Sequence, residues 1–279
     1  MSLTMEEMHP EAVAFYQKAM RALQNAGVPF LVGGAFALHR YADISRYTKD
    51  FDVFVRPADC PRALQAFADQ GWRSELTFPH WLGKAYHGDE FVDVIFSSGN
   101  GLVPVDDEWF AHAVPATVLG EPALLMPAEE MIWSKAYIME RERFDGADIA
   151  HLLRAQGERL DWDRLRRRFG AHWQLLLVHL VLYHFVYPGR PLPAPQWLRD
   201  ELIGALSQDV SRSVTRDDLC QGTLLSRGQY LRDINDWGCR DARLAPFGAM
   251  TPEAVAHWTA AIGNDTPPAP AAVQPLIAK

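Results

Sequence analysis

Two segments in the first half of the chain place carboxylates inside runs of residues that favour β-strands. Residues 50–55 read DFDVFV, and residues 91–96 read FVDVIF. Side chains two positions apart on a strand project from the same face, so Asp50 and Asp52 are expected to lie side by side. A single charge centred in an apolar strand, such as Asp93, is costly to bury. The chain therefore needs a fold that gives these three carboxylates a polar or cationic environment.

Three carboxylates that meet at one point suit a divalent cation. If the strand of Asp93 lies beside the strand of Asp50 and Asp52, their hard oxygen ligands would bind Mg²⁺, which also accepts phosphate oxygens. Two such ions, with Mn²⁺ as a substitute, would clamp the entering and leaving oxygens of a phosphoryl or nucleotidyl transfer. The plainer alternative for the acid pair is a strand end with two solvated carboxylates.

The distribution of apolar residues predicts an α/β (α+β) fold, in which a small mixed β-sheet core flanked by helices is followed by a helical C-terminal region. In the first half, helices are predicted over 10–26, 35–41 and 60–70, and strands near 29–32, 50–55, 72–78, 83–87 and 91–96. After Pro127, helices are predicted over 128–142, 146–156, 161–169, 171–186 and 196–209, with a helical region over 215–236. We divide the chain into a core domain (1–126), a helical domain (127–264) and a flexible tail (265–279).

Composition and charge exclude several classes of protein. The net charge of −8 disfavours non-specific attachment to nucleic acid, so no DNA partner is expected. Three cysteines without a CxxC pair favour a reducing cytoplasm over a disulfide framework or a cysteine-rich zinc site. The most apolar stretch, residues 173–187, is interpreted as a buried helix that is too short to span a bilayer, so no membrane partner is expected.

A glycine pair, Gly33 and Gly34, stands between a predicted strand and a predicted helix. Glycine lets the backbone approach a ligand closely, and the first turn of a helix offers unbonded N–H groups to a phosphate. Such pairs are also common as simple turns. The pair becomes informative only together with the carboxylates.

The order of these features resembles the signature of the DNA polymerase β-like nucleotidyltransferase superfamily. That signature has a glycine pair, then two acids separated by one residue, then a single Asp on a later strand. Residues 46–52, RYTKDFD, resemble the "R-x-T-x-D-[IFL]-D" block of its bacterial branch, which includes the AbiEii and MenT toxin-type proteins. Downstream, Lys135 followed by Asp145 and Asp148 resembles the lysine and "D-x-x-D" helix of the same branch. The similarity covers roughly residues 28–155.

The resemblance implies a role for each matching residue. Asp50 and Asp52 would bind both metal ions, and Asp93 would complete the site and act as general base toward an acceptor hydroxyl. The phosphate contacts would come from Gly33, Gly34 and Lys135, with Lys49 as a cation that steers the triphosphate or offsets the acids. Apart from the resemblance, Asp148 lies one helical turn after Asp145 and is expected to pair with Lys135 or with Arg141 and to orient it.

The function implied is that of a Mg²⁺-dependent enzyme that moves an NMP from an NTP to an acceptor hydroxyl and releases pyrophosphate. The acceptor is a small molecule, a tRNA end or a protein side chain. The alternative is a non-catalytic protein, either a nucleotide-binding module or a toxin–antitoxin partner, that retained the fold.

Other polar residues are interpreted as structural. Lys84 lies one predicted strand before Asp93 and is interpreted as a solvated lysine on an edge strand, with contact to substrate as the alternative. His172 and His179 are predicted to pack between helices, because no carboxylate stands beside them. The arginines within residues 164–168 are predicted to form a solvated face.

Overall fold

The computed structural model describes residues 8–45, 50–211 and 218–262. Lys49, with the rest of residues 46–49, lies outside the described residues, as do the predicted tail over 265–279 and the start of the predicted helical region over 215–236. Within the described ranges the predicted α/β class is confirmed. A mixed β-sheet is flanked by helices, and most of the chain after it is helical.

One mixed sheet organises the first half of the chain. Its strands are β1 (Leu31–Val32), β2 (Asp50–Phe54), β3 (Arg73–Phe78), β4 (Leu82–His87), β5 (Glu90–Ile95), β6 (Val114–Val118) and β7 (Glu121–Leu125). They lie in the order β3-β4-β5-β2-β1-β7-β6. Strand β2 is parallel to β5 and β1 is parallel to β7, whereas the other pairs are antiparallel. The β6–β7 hairpin was not predicted, since Pro115 and Pro122 interrupt its strand pattern.

Helices α1 (Pro10–Asn25) and α3 (Cys60–Ala68) cover one face of this sheet, and α2 (Gly34–Ala42) follows β1. The core under α1 contains Phe51 of β2, which is fully buried and stacks on Tyr16 with ring centroids 4.9 Å apart. Residues Val92 and Val94 of β5 face the same core. Since strand side chains alternate, these apolar contacts turn the intervening acids of β2 and β5 to the opposite face.

The remaining elements are mostly helical. They are α4 (Asp107–Ala111), α5 (Ala128–Lys135), α6 (Gly146–Gln156), α7 (Trp162–Phe169), α8 (Trp173–Val186), α9 (Gln196–Ser211), β8 (Leu219–Cys220), α10 (Leu231–Asn235), β9 (Arg240–Asp241) and α11 (Pro252–Ala260). Helix α6 packs on α2, α5 and α8. One hydrophobic core joins Phe54 of the sheet to Ile132, Ile149 and Leu176, so it draws on both sides of the predicted 126/127 boundary. The division into domains stays a prediction.

Two helix predictions were wrong. Helix α5 ends at Lys135 rather than at residue 142, and the chain then forms a hairpin closed by a bridge between Met139 and Phe144. The hairpin replaces the helix because the carboxylate of Glu140 accepts hydrogen bonds from a distant segment, which are described below. The described part of residues 215–236 holds, in place of one long helical region, the short β8, a 3-10 helix at Gly222–Leu224 and α10 at Leu231–Asn235.

Helix α8, predicted to be a buried helix, is buried on one face only. Leu176 and Leu180 lie in the core, whereas Val181 and Phe185 are exposed, Phe185 by 82%. In the part of the chain that the structure describes, Trp162–Val186 is long and apolar enough to cross a membrane by length and composition. The core helix of a soluble protein passes the same test, so this is weak evidence for a membrane segment.

Candidate active site

The three acids predicted from the sequence come together at the junction of β2 and β5. The parallel register places Asp52 directly opposite Asp93. Carboxylate oxygens of Asp50, Asp52 and Asp93 all lie within 4.8 Å of one another. Two neighbouring parallel strands therefore bring residues 41 positions apart in the chain into one cluster.

The electrostatics of this carboxylate triad favour a cation. Burial, together with the charges of Asp50 and Asp93, raises the pKa of Asp52 to about 8. Burial also raises the pKa of Asp93 to about 6, although the ammonium of Lys84 opposes the shift. Ionising these buried carboxyl groups therefore costs free energy, and a bound divalent cation would offset that cost. Three hard carboxylate oxygens within reach of one ion are the donors that Mg²⁺ prefers, so the donor set fits Mg²⁺.

The glycine pair lies against the triad. The N–H of Gly33 donates to the backbone carbonyl of Asp52 at 3.0 Å, and α2 begins at Gly34. A Cβ on Gly34 would lie 1.8 Å from Oδ2 of Asp52, and its φ of +53° is in the left-handed region. A Cβ on Gly33 would lie 2.2 Å from the ring of Phe54. Both glycines are therefore needed for the first turn of α2 to reach the acids.

We expect Gly34→Ala to cost roughly 100-fold in any activity of the triad, because its methyl group displaces the Asp52 carboxylate. The left-handed backbone should cost a further 1–2 kcal/mol or so of stability. Gly27→Ala is the matched control, since Gly27 has a φ of +61° and nothing within 4 Å of its Cβ position. Unfolding by denaturant should show similar backbone costs in the two variants, and only Gly34→Ala should lose activity. Equal activity in both variants would exclude the contact with Asp52 as a requirement.

The prediction for Lys84 was wrong. Strand β4 is paired on both sides, so it is not an edge strand. Lys84 lies opposite Asp93 in the register, and its Nζ donates to Oδ1 of Asp93 at 2.5 Å. Its side chain is only 19% exposed. The sequence did carry a signal, because Lys84 and Asp93 stand nine residues apart on two strands that form a hairpin, but the pairing needs the hairpin register.

Lys135 lies at the end of α5 and is held by both acids of the "D-x-x-D" helix. Its Nζ contacts Oδ2 of Asp145 at 2.6 Å and Oδ2 of Asp148 at 2.9 Å. The predicted pairing of Asp148 with Lys135 is therefore present in the structure. Lys135 is also near enough to Asp52 to lower the pKa of that carboxyl.

Arg143 is a cation at the triad that the sequence reasoning missed. Its guanidinium bonds to both carboxylate oxygens of Asp145 at 3.0 Å, and its charge acts on Asp50 and Asp52. Burial would raise the pKa of Asp145, but hydrogen bonds and charges from Arg143 and Lys135 hold it below its usual range. The Arg143 side chain remains 64% exposed. An exposed arginine at the mouth of an acidic site is placed to meet an incoming anion.

A distant part of the chain fixes the hairpin that carries Arg143. The Glu140 carboxylate accepts hydrogen bonds from the Ser226 hydroxyl and from the Arg227 N–H, the latter at 3.0 Å. The N–H of Met139 donates to the carbonyl of Leu225 at 3.1 Å. The C-terminal segment thus positions Arg143.

The remaining polar residues have structural partners. His172 bonds through Nδ1 to the Tyr137 hydroxyl, and His179 through Nε2 to the Ala136 carbonyl, as expected for helix packing. The solvated face predicted for residues 164–168 was wrong in part. Arg164 is 3% exposed and pairs with Glu129 at 2.5 Å, because α7 packs against α5.

A mixed sheet with three converging carboxylates beside a glycine-led helix is typical of the nucleotidyltransferase class. Residues 11–186 match the model of the family described as uncharacterised nucleotidyltransferases, and the chain belongs to this family. The matched region contains the triad, the glycine pair and Lys135. The prediction of a nucleotidyltransferase, and so of an enzyme, is confirmed at the level of the family. No curated protein matches the chain.

Several solved structures are similar to this chain. The antibiotic-resistance factor ANT(2'')-Ia in solution has 19% identity and a TM-score of 0.44, over 62% of this chain and 98% of that one. The lincomycin-bound lincosamide antibiotic adenylyltransferase LnuA has 14% identity and a TM-score of 0.37, over 50% and 94%. JHP933 from Helicobacter pylori has 16% identity and a TM-score of 0.31, over 73% and 93%. The likeness is distant and bears on neither substrate nor mechanism. The AbiEii and MenT branch stays a prediction.

Proposed function

We propose that the protein transfers an NMP from an NTP to an acceptor hydroxyl, with release of pyrophosphate, in a reaction that depends on divalent metal. The observation that carries the proposal is the convergence of Asp50, Asp52 and Asp93 within 4.8 Å, beside the first turn of α2. A module that only binds nucleotide has no need of three carboxylates whose repulsion and burial raise the pKa of Asp52 to about 8. The non-catalytic alternative is for this reason the weaker one.

The metal ligands in this proposal are the three acids. Asp50 and Asp52 would bind both ions and Asp93 would complete the ligand set, with Mg²⁺ as the proposed ion and Mn²⁺ as a substitute. When bound, the ions neutralise the phosphate oxygens and the charge that develops during transfer. The protein's own contribution is to hold the three acids in register on β2 and β5 and to keep their carboxylates partly buried from water.

The other residues bind and orient the nucleotide. The backbone N–H groups of the first turn of α2, which begins at Gly34, bind phosphate oxygens in this proposal. Gly33 contributes close approach of the backbone only, because its own N–H donates to the Asp52 carbonyl. Lys135 and Arg143 supply positive charge toward the triphosphate. Lys49 precedes Asp50 in the chain, and in this proposal its positive charge steers the triphosphate, as expected from the sequence. Asp93 is the general base in this proposal and accepts the proton of the acceptor hydroxyl.

The acceptor in this proposal is a small molecule, a tRNA end or a protein side chain. The net charge of −8 disfavours a large RNA, whereas the resemblance to toxin-type proteins favours one.

Cys60, Cys220 and Cys239 are unpaired with one another, which agrees with a cytoplasmic enzyme.

Transfer of label tests the proposed function. The protein is incubated with each α-³²P-labelled NTP and Mg²⁺ in fractions of cell extract, and label in an acceptor is sought. We expect label in one acceptor class, and none with EDTA or with Asp52→Asn. Metal-dependent NTP binding by calorimetry, with no labelled acceptor in any fraction, would support the binding module instead.

Removal of the Arg143 guanidinium tests the triphosphate contact. We expect Arg143→Ala to raise KM for the NTP roughly tenfold, because a charge-assisted phosphate contact is lost, with a smaller effect on kcat. Arg143→Lys should recover part of this loss. Arg21→Ala is the matched control, since Arg21 is a similarly exposed arginine paired with Glu121. An unchanged KM in Arg143→Ala would remove Arg143 from the nucleotide site.

A further inference from the structure

Lys84 forms an ion pair with one member of the carboxylate triad. The strand register sets Lys84 beside Asp93, and Nζ lies 2.5 Å from Oδ1. The ammonium also lies 4.4 Å from the ring centroid of Phe91, the residue two positions before Asp93 on the same strand face. A lysine held by a carboxylate and a ring, with a side chain 19% exposed, is an ordered part of the site.

The pair places a protein cation where a metal ligand is expected. A divalent ion that coordinates Asp93 through Oδ1 must share this oxygen with the Lys84 ammonium or displace it. A positive charge a few ångströms from the triad also opposes the entry of a second cation. Lys84 and a divalent ion therefore compete for the same carboxylate.

We propose that Lys84 is an internal counter-cation that competes with divalent metal for Asp93 until nucleotide is bound. The inference rests on the proposed function, because it assumes that the triad binds metal. Once a triphosphate is present, its oxygens offer the ammonium an alternative partner, and Asp93 becomes available to the metal. Lys84 is in this sense a positioning residue that couples metal binding to nucleotide binding.

The first measurement is Mn²⁺ binding by calorimetry, without nucleotide. We expect Lys84→Met to bind Mn²⁺ roughly tenfold more tightly than the wild type, because the competing charge is gone. Lys84→Arg, which keeps the positive charge, should bind Mn²⁺ less tightly than Lys84→Met and lie roughly within a few-fold of the wild type. Lys18→Met is the matched control for net charge, since Lys18 lies over the Trp72 ring on the face covered by α1. Equal or weaker binding in Lys84→Met would overturn the proposal.

The second measurement adds a non-hydrolysable NTP analogue. In the wild type the analogue should tighten Mn²⁺ binding, and in Lys84→Met this gain should shrink, because no ammonium remains to be displaced. An undiminished gain in Lys84→Met would contradict the coupling. If Lys84→Met folds poorly, Lys84→Gln and the rise of Tm with Mn²⁺ concentration give the same comparison.

The outcomes separate this inference from the proposed function. A wild-type protein that binds no Mn²⁺, with or without the NTP analogue, overturns both. A wild-type protein that binds Mn²⁺ and transfers label, with Lys84→Met unchanged in Mn²⁺ affinity, overturns only the role of Lys84. Loss of Mn²⁺ binding in Asp52→Asn would establish that the measured ion occupies the triad.

Discussion

Replacement of Asp52 by asparagine is expected to reduce nucleotidyl transfer by about 1000-fold or more while the protein stays folded. Asp52 is the most central acid, paired in register with Asp93 and against the Cβ position of Gly34. The amide keeps the shape of the side chain but removes the charge that holds the cations. Label transfer from α-³²P-NTP at saturating Mg²⁺ measures the loss.

Two comparisons make this loss specific. Without metal at alkaline pH, Asp52→Asn should be at least as stable as the wild type, because it removes a buried carboxylate that two other acids repel. Asp93→Asn should lose transfer yet largely retain NTP binding, because it removes a base more than a phosphate contact. Full transfer activity in folded Asp52→Asn would contradict the metal site.

The second large effect is on the pH dependence of stability in the absence of metal. The pKa values of Asp52 and Asp93 in the folded protein, about 8 and about 6, lie above the value of about 3.9 for an unfolded Asp. Their contribution to stability is therefore fully present below about pH 4 and is lost as the pH rises through 6 and 8. We expect the free energy of unfolding in EDTA to fall by a few kcal/mol between about pH 5 and pH 9.

Saturating Mg²⁺ should remove most of that fall, because a divalent cation compensates the ionised carboxylates. Denaturant unfolding at several pH values, with EDTA or with Mg²⁺, measures both effects. Asp52→Asn should flatten the EDTA curve. The acids with a lowered pKa, such as Asp145 and Asp241, act at more acidic pH. Burial lowers the pKa of His80, His172 and His179 below 6.5, so these groups add stability as the pH rises to about 6.5 and oppose part of the fall. The difference between the wild-type and Asp52→Asn curves therefore isolates the triad. A wild-type curve in EDTA with the same slope as the Asp52→Asn curve between pH 5 and pH 9 would contradict the charge burial on which the site is built.

Much of the triad could be predicted from the sequence, because it depends on local alternation. In residues 50–55 and 91–96, every second side chain is apolar and enters the core under α1 and α3, so the acids between them must face the other way. The glycine pair could likewise be recognised in the sequence, but the sequence did not show why glycine is needed at these two positions. The tight contact between Gly34 and Asp52 depends on how β1 pairs with β2.

The elements that sequence reasoning missed depend on contacts between distant residues. Helix α5 ends early because the Glu140 carboxylate accepts hydrogen bonds from Ser226 and Arg227, which lie far along the chain. No local pattern near residue 136 predicts these contacts. The prolines of the β6–β7 hairpin interrupt its strand pattern in the sequence, so the hairpin was not predicted, although it completes the sheet beside β1. Lys84 reaches the site through the register of β4 and β5. Arg143 reaches it on the hairpin that the bonds of Glu140 to Ser226 and Arg227 hold in place.

The sequence by itself determined which faces of the strands carry the acids, since apolar burial and a period of two leave a strand one orientation. The sequence also shows the family, through the match of residues 11–186 to the family model. Only the tertiary structure decided which cations meet those acids. Lys84, Lys135 and Arg143 reach the triad through β4, α5 and a hairpin, and each depends on backbone pairings or side-chain contacts that no local pattern encodes.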